Sequence, residues 1–221
     1  MARKKEVNTF QFPSEFNSLN AEFQKSFFKP TADVTIDDQI IIINKFFTSG
    51  LCNELIKSFG NLQLETTPLV KSKDYAARIN DRTLIEDYKA SQNLWSYLQH
   101  VLLQDDYDTN VVQKTFAKAI GLNPQLRVYR YQKGHYFGKH YDESVKALNG
   151  RTKWTLLIYL TGDEEFEGGG TIFYGDNKKP LNIHPSKGMA LLHKHGDDCL
   201  MHEAELVRSG EKWVLRSDVV Y

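Results

Sequence analysis

Leu126-Arg127-Val128-Tyr129-Arg130-Tyr131, residues 126–131, marks the point at which the chain changes character. Its side chains alternate with period two, the pattern of a β-strand with one face buried. Downstream, Trp154-Thr155-Leu156-Leu157-Ile158-Tyr159-Leu160 is a strongly apolar strand. Gly168-Gly169-Gly170 precedes Thr171-Ile172-Phe173-Tyr174, and Gly188 precedes Met189-Ala190-Leu191-Leu192. Trp213-Val214-Leu215-Arg216 leads into Asp218-Val219-Val220-Tyr221. Short strands at such regular spacing predict a β-sandwich or jelly-roll barrel.

Upstream of residue 126 the pattern is mainly helical. Asp38-Gln39-Ile40-Ile41-Ile42-Ile43-Asn44 reads as a buried strand, and Thr48 and Ser49 open a helix carrying Leu51, Leu55, Ile56 and Phe59, which Gly60 stops. A long helix is predicted from Thr83 to about Gln104, on the 3.6-residue spacing of Leu84, Tyr88, Trp95, Leu98, Val101 and Leu102. A second follows Asp108, with Val111, Val112, Phe116 and Ile120, ending by Gly121 and Pro124. Residues 1 to about 35 scatter Phe10, Phe12, Phe16, Phe23, Phe27 and Phe28 among polar residues, as expected of an arm that packs by its aromatics. The class is α+β. Residues 1–125 supply the arm and supporting helices of one structural domain, and residues 126–221 its β core.

The 221 residues suffice for one substantial core, and 41% hydrophobic with 25% charged residues is ordinary for a globular chain. The formal net charge is zero, which gives no electrostatic case for nucleic acid or a membrane surface. Cys52 and Cys199 are expected to be buried free thiols in a reducing compartment. MARKKEVNTF lacks an apolar stretch, so no secretory signal is read there, and Ile40 to Ile43 is too short to span a bilayer. Arg3, Lys4 and Lys5 read either as part of a nuclear address or, more commonly, as a solvated tail. The expectation is a soluble protein of the cytoplasm, the nucleus or both.

Chemistry concentrates in Tyr131-Gln132-Lys133-Gly134-His135-Tyr136-Phe137-Gly138-Lys139-His140-Tyr141-Asp142. Residues two apart on a strand share a face, so His140 and Asp142 can present an imidazole and a carboxylate to one ion. His202, sixty positions further on, is placed to complete a three-ligand face. Two imidazoles and a carboxylate on one side of iron leave positions open for oxygen and a chelating cosubstrate. His-x-Asp alone is a weak signal. The order of elements after it is much more specific.

That order resembles the 2-oxoglutarate and iron(II)-dependent oxygenases, in the branch that holds the catalytic domain of prolyl 4-hydroxylase. The resemblance rests on Tyr131 through Asp142, Thr155 to Leu160, Gly169-Gly170-Thr171-Ile172-Phe173, Pro185-Ser186-Lys187-Gly188, His202 and Gly210-Glu211-Lys212-Trp213, across roughly residues 126 to 221. It implies a double-stranded β-helix (jelly-roll) core with helices packed outside, and iron(II) held by His140, Asp142 and His202. It also implies 2-oxoglutarate as cosubstrate, O2 as oxidant and ascorbate as an accessory reductant. Lys212 matches the basic residue that holds the far carboxylate of 2-oxoglutarate, and Tyr159 a phenol that helps it. Tyr131 matches a tyrosine near the iron-chelating end, and Thr155 and Leu157 match pocket-lining positions. Arg216 is a departure. It lies four residues after Lys212 on the same strand face, so either of the two can anchor the far carboxylate; Arg216 can otherwise hold the cosubstrate's near carboxylate, contact Asp142, or pair with Asp218.

The implied activity is hydroxylation of a C–H bond through an iron-oxo species, with release of succinate and CO2. A protein side chain, prolyl among the candidates, is the leading substrate. Oxidative demethylation of nucleic acid or methylated protein, and a catalytically silent binding module, are the alternatives the same fold allows. His193 and His195 resemble a second metal pair, and more commonly such residues end a strand near the site without ligating. His135 and Tyr136 read as entrance or turn residues, and Arg82 as either a substrate contact or an exposed charge at a helix cap. Asp163-Glu164-Glu165-Phe166-Glu167 reads as a solvated loop or an attractor of basic peptide. Selectivity is expected in the loops around residues 70–85 and 143–153.

Overall fold

In the computed structural model, strand Gln125–Tyr131 pairs antiparallel with Asp81–Glu86 on one side and Lys212–Val220 on the other. The structure describes residues 10–67, 76–104, 109–175 and 179–221. Part of the loop expected at residues 70–85 therefore lies outside the described residues. The main sheet runs in the order Ala32–Ile36, Ile40–Ile43, Ala190–Lys194, Gly150–Tyr159, Lys212–Val220, Gln125–Tyr131, Asp81–Glu86, Glu65–Thr66, with every pairing antiparallel. A smaller sheet orders Leu181–Ile183, Thr171–Tyr174, Met201–Ala204, Tyr136–His140 and Arg78–Ile79. Phe166–Gly168 and Val207–Gly210 form a separate ribbon.

Alternation along the central strands decides what each face does. Trp154, Leu156 and Ile158 of one strand, with Trp213, Leu215 and Val219 of its neighbour, join the large core beneath the helices. That core also takes Leu94, Leu98 and Val101 from helix Tyr88–Leu102 and Leu51, Leu55 and Phe59 from helix Ser49–Gly60. It extends to Phe12, Phe16 and Phe23 of the arm, so residues on both sides of position 126 share one core. Residues of opposite parity face the smaller sheet, where Tyr159, Leu191 and Val214 meet Phe173 and Ile183. Phe27 and Phe28 depart from the arm's expected packing and remain 90% and 85% exposed.

The long helix starts later than its periodicity suggests. Residues 81–86 form a strand, and the helix begins at Tyr88 with Asp87 as its cap, accepting from the Ala90 N–H at 2.9 Å. Leu84 and Tyr88, the first two residues of the apparent apolar stripe, are 52% and 60% exposed. Pairing with residues 125–131 satisfies the backbone of this segment, and Thr83 and Ile85 suit a pleated surface. Asp87→Ala is expected to destabilise the protein by about 1 kcal/mol through loss of the cap, with Asp87→Ser near wild type, as read from urea unfolding midpoints. Thr48 caps the earlier helix as the sequence predicts. Among the described residues no helix is long and apolar enough to cross a membrane. Cys52 and Cys199 are free and buried, and burial pushes their thiols up to about 12 and about 11.

Candidate active site

Pairing of Met201–Ala204 with Tyr136–His140 sets His202 directly opposite His140, with ring centroids 4.3 Å apart. Asp142 lies just beyond the strand end, on the side the period-two argument assigns it. Its Oδ1 is 3.8 Å from His140 Nε2, and its Oδ2 is 3.8 Å from His202 Nε2. Each imidazole is oriented by its other nitrogen. Nδ1 of His140 donates to the Gly138 carbonyl at 2.8 Å, and Nδ1 of His202 to the Leu200 carbonyl at 2.9 Å. Both Nε2 lone pairs are thereby directed at the carboxylate, the arrangement a metal ligand needs. Burial lowers the pKa of both rings, that of His140 to about 4, so the lone pairs stay available. The three ligand atoms lie within 4.8 Å of one another and suit a divalent ion with imidazole and carboxylate preference.

Asp142 is held from behind. Arg216 reaches both carboxylate oxygens at 3.1 Å and also bonds Asp218, which in turn pairs with Arg127 at 2.8 Å. The Thr155 hydroxyl donates to Asp142 Oδ2 at 2.8 Å. Nδ1 of His195 donates to that hydroxyl at 2.8 Å, and Thr152 donates to His195 Nε2 at 2.8 Å. Burial alone raises the carboxyl's pKa, but the Arg216 guanidinium outweighs it and holds Asp142 well below the usual carboxylate range. Thr155 thus lies behind the carboxylate, not in the pocket wall to which the resemblance assigns it. It is fully buried against Asp142.

The pocket that contains His140, Asp142 and His202 runs to Lys212 past Tyr131, Leu157, Tyr159 and Val214. Lys212 is 2% exposed, and its Nζ donates to the Gly169 carbonyl at 2.5 Å. Nζ also lies 5.4 Å from the Tyr131 ring centroid and 5.3 Å from that of Tyr159. The Tyr159 hydroxyl and Thr171 share a 2.8 Å hydrogen bond. Gly169 is at φ +65°, and a Cβ there would come within 2.9 Å of the Phe166 ring, so the carbonyl that receives Lys212 depends on glycine. Among the described residues no carboxylate pairs with this ammonium, and burial lowers its pKa to about 7. An unpaired buried cation is costly, and a carboxylate ligand is what the site lacks. The residues therefore fit a metal at one end and a dicarboxylate reaching to the other.

Two further residues neighbour this pocket, His193, which the sequence places near the site, and Arg78. His193 shares a face with Leu191 on strand Ala190–Lys194, and that face points inward. Its ring is 4.5 Å from that of His202, and its Nε2 is 3.6 Å from Asp142 Oδ2. Period two along that strand carried the signal. In the segment before the long helix the inward cation is Arg78, not Arg82. Arg78 lies 4.8 Å over the Phe137 ring, which stacks on His140 with centroids 3.6 Å apart. Arg82 is exposed on strand Asp81–Glu86.

Comparison with known proteins agrees with this geometry. Residues 126–217 match the 2OG-Fe(II) oxygenase superfamily. A curated relative, the uncharacterized protein FPV006/FPV255 of Fowlpox virus (strain NVSL), is 30% identical over 121 residues, 55% of this chain. The chain spans about a quarter, 25%, of that relative's length. A Pseudomonas putida prolyl-4-hydroxylase superposes with TM-score 0.60 at 14% identity, covering 85% of this chain and 95% of that one. The viral collagen prolyl hydroxylase of Paramecium Bursaria Chlorella virus-1, as its 2OG complex, gives 0.55 at 19% identity, over 82% and 95%. A Trichoplax adhaerens prolyl hydroxylase, in complex with a hypoxia inducible factor oxygen degradation domain peptide, gives 0.58 at 16%, over 98% and 94%. These structures share the fold. Residues 126–217 are thus similar to the 2OG-Fe(II) oxygenase superfamily, a family that works with iron(II), 2-oxoglutarate and O2.

Proposed function

We propose that this chain is a 2-oxoglutarate- and iron(II)-dependent hydroxylase of a protein or peptide side chain, with prolyl as the first residue to test, built on a double-stranded β-helix. The observation that carries the reading is one pocket with His140, Asp142 and His202 at one end and the unpaired, buried Lys212 at the other. His140, Asp142 and His202 would hold iron. Lys212 would take the far carboxylate of 2-oxoglutarate, flanked by Tyr131 and Tyr159 with Leu157 in the wall. Arg216 is already engaged by Asp142 and Asp218, which leaves Lys212 as the anchor and makes Arg216 and Thr155 the groups that fix Asp142. Bound iron(II) and 2-oxoglutarate, with O2, supply the oxidant for an unactivated C–H bond and yield succinate and CO2. The protein's own part is to orient the ligands, keep two imidazoles neutral, and exclude water around an apolar wall. A peptide substrate is supported by the relatives of this fold, two of which are a collagen prolyl hydroxylase and a prolyl hydroxylase with a peptide bound.

Anaerobic titration of iron(II) and 2-oxoglutarate is expected to give a weak visible charge-transfer band in the wild type and none in a His140→Ala, Asp142→Ala double variant. With air and proline-containing peptides, succinate release and gain of one oxygen atom by peptide are expected, read by mass spectrometry. No band from folded, metal-treated wild type would overturn the reading.

A further inference from the structure

Tyr129 lines two hollows at once. One is the pocket described above, and the other is a neighbouring trough of about 480 Å³ formed with Glu65, Arg82, Leu84 and Arg127. That volume is within the ~300–1,000 Å³ range of ligand sites. Strand register makes the two continuous. Arg82 is paired opposite Tyr129, and Tyr129 opposite Val214 of the pocket wall. In the next row Leu84 is opposite Arg127, and Arg127 opposite Arg216. Residues opposite one another on adjacent strands share a face, so both rows run from the pocket out to strand Asp81–Glu86. There Arg82 and Leu84 are exposed.

The charge along this path is positive. Arg127 and Arg130 are paired with Asp218 and Asp81, whereas neither Arg78 nor Arg82 forms an ion pair among the described residues. Glu65 is next to Arg82 in register without joining it in an ion pair. Burial lowers the pKa of Arg78, and the nearby Arg82 lowers it further, as two cations sharing one field must. An anionic group between pocket and trough would relieve that repulsion, and Leu84 offers it an apolar neighbour.

We infer that the trough seats the stretch of peptide flanking the residue to be hydroxylated, and that an acidic side chain of that flank pairs with Arg82. This rests on the functional reading above and adds a sequence preference to it. Strands lie about 4.8 Å apart, so Arg82, two strands out from Val214, is about 10 Å from the pocket wall. About three extended residues at ~3.4 Å each span that distance, which places the acid about three positions from the hydroxylated residue.

The test uses the full chain with iron(II), 2-oxoglutarate and peptides that hold one proline. A single Asp is moved position by position along either flank, with Lys at the same places for comparison. Wild type is expected to favour Asp about three positions out, with a KM about tenfold below that of the Lys peptide and a similar kcat. Rising salt should shrink the difference, because the pair is partly exposed. Arg82→Gln should abolish the preference, and Arg82→Glu should reverse it in favour of Lys. A merely structural role for Arg82 gives no reversal. The charge-transfer band of the iron and 2-oxoglutarate complex checks that each variant is folded. Equal KM for Asp and Lys at every position, or a preference that survives Arg82→Gln, overturns the inference alone. Stronger competition from a methylated single-stranded oligonucleotide than from the Asp peptide overturns it in favour of a phosphate backbone. Failure of wild type to hydroxylate any of the peptides overturns the functional reading, and the inference with it.

Discussion

Asp142→Ala is expected to abolish iron(II) binding and also to weaken the metal-free fold by roughly 3 kcal/mol. Loss of an ordering partner outside the ligand set already costs a metal site about 10–100-fold, so loss of a ligand exceeds that. The second effect arises because Arg216, buried between two acids, would keep only Asp218, while the Thr155 hydroxyl would lose its acceptor. Breaking a buried pair by removing one partner costs about 3–5 kcal/mol, and the surviving Asp218 contact places this case at the low end. Urea unfolding of metal-free wild type and variant checks it, with iron titration alongside. A variant as stable as wild type would mean that Arg216 is adequately held by Asp218 alone. The sign with pH follows from the depressed carboxyl. The stabilisation from Asp142 is fully present above roughly pH 4, the ordinary carboxylate value, and is lost as pH falls through its lower folded value.

Replacing Lys212 by Met should weaken 2-oxoglutarate binding by about 100-fold, because a buried carboxylate would be left without its cation. The wild type should also show a pH dependence that identifies this lysine. Burial sets the Lys212 pKa at about 7 in the cosubstrate-free protein, yet a carboxylate is held best by the ammonium form. Binding above pH 7 therefore draws in a proton. Affinity should fall with rising pH by up to about tenfold per unit, until the pKa of the bound state is reached. Calorimetry at pH 8 in buffers of different ionisation enthalpy should report proton uptake. Lys212→Arg, whose charge does not titrate, should flatten the profile. A pH-independent wild type would show that Lys212 stays charged without its ligand. For the cosubstrate-free fold the lysine acts as a penalty. It is absent above roughly pH 10.4, the unfolded value, grows as pH falls to about 7, and is constant below.

The parts of the molecule legible in sequence are those fixed by local pattern. Alternation at residues 126–131 and 154–160 marks strands, and it also places His140 and Asp142 on one side. Isoleucines 40–43, the Thr48 cap and the inward aromatics of the arm follow equally from short-range rules. What failed depends on distant partners. Thr83 to Glu86 looks like a first helical turn until residues 125–128, some forty positions away, pair with it. The bond from Thr155 to Asp142 likewise joins residues that local pattern does not connect. Arg216 had several open roles in sequence, the far-carboxylate anchor among them. The structure brings Asp142 and Asp218 together around its guanidinium, which also lines the pocket. His193, expected near the site at the end of its strand, does line the pocket, as its parity with Leu191 implies.

Strand Lys212–Val220 lies in the middle of the main sheet, between Gly150–Tyr159 and Gln125–Tyr131. During synthesis it emerges after both of its neighbours. At about 5–20 residues per second, the roughly 60 residues from Tyr159 to Val220 separate these events by about 3–12 s. Over that interval each neighbouring strand presents an unpaired edge, the surface most prone to join another chain. The same strand carries Lys212 and Arg216, so a nascent chain has neither the proposed cosubstrate anchor nor the brace on Asp142 until the sheet closes. Closure of the sheet and readiness to bind are therefore one late event. Holdase chaperones would be most useful in that window, and iron supplied earlier meets histidines that are not yet arranged to keep it.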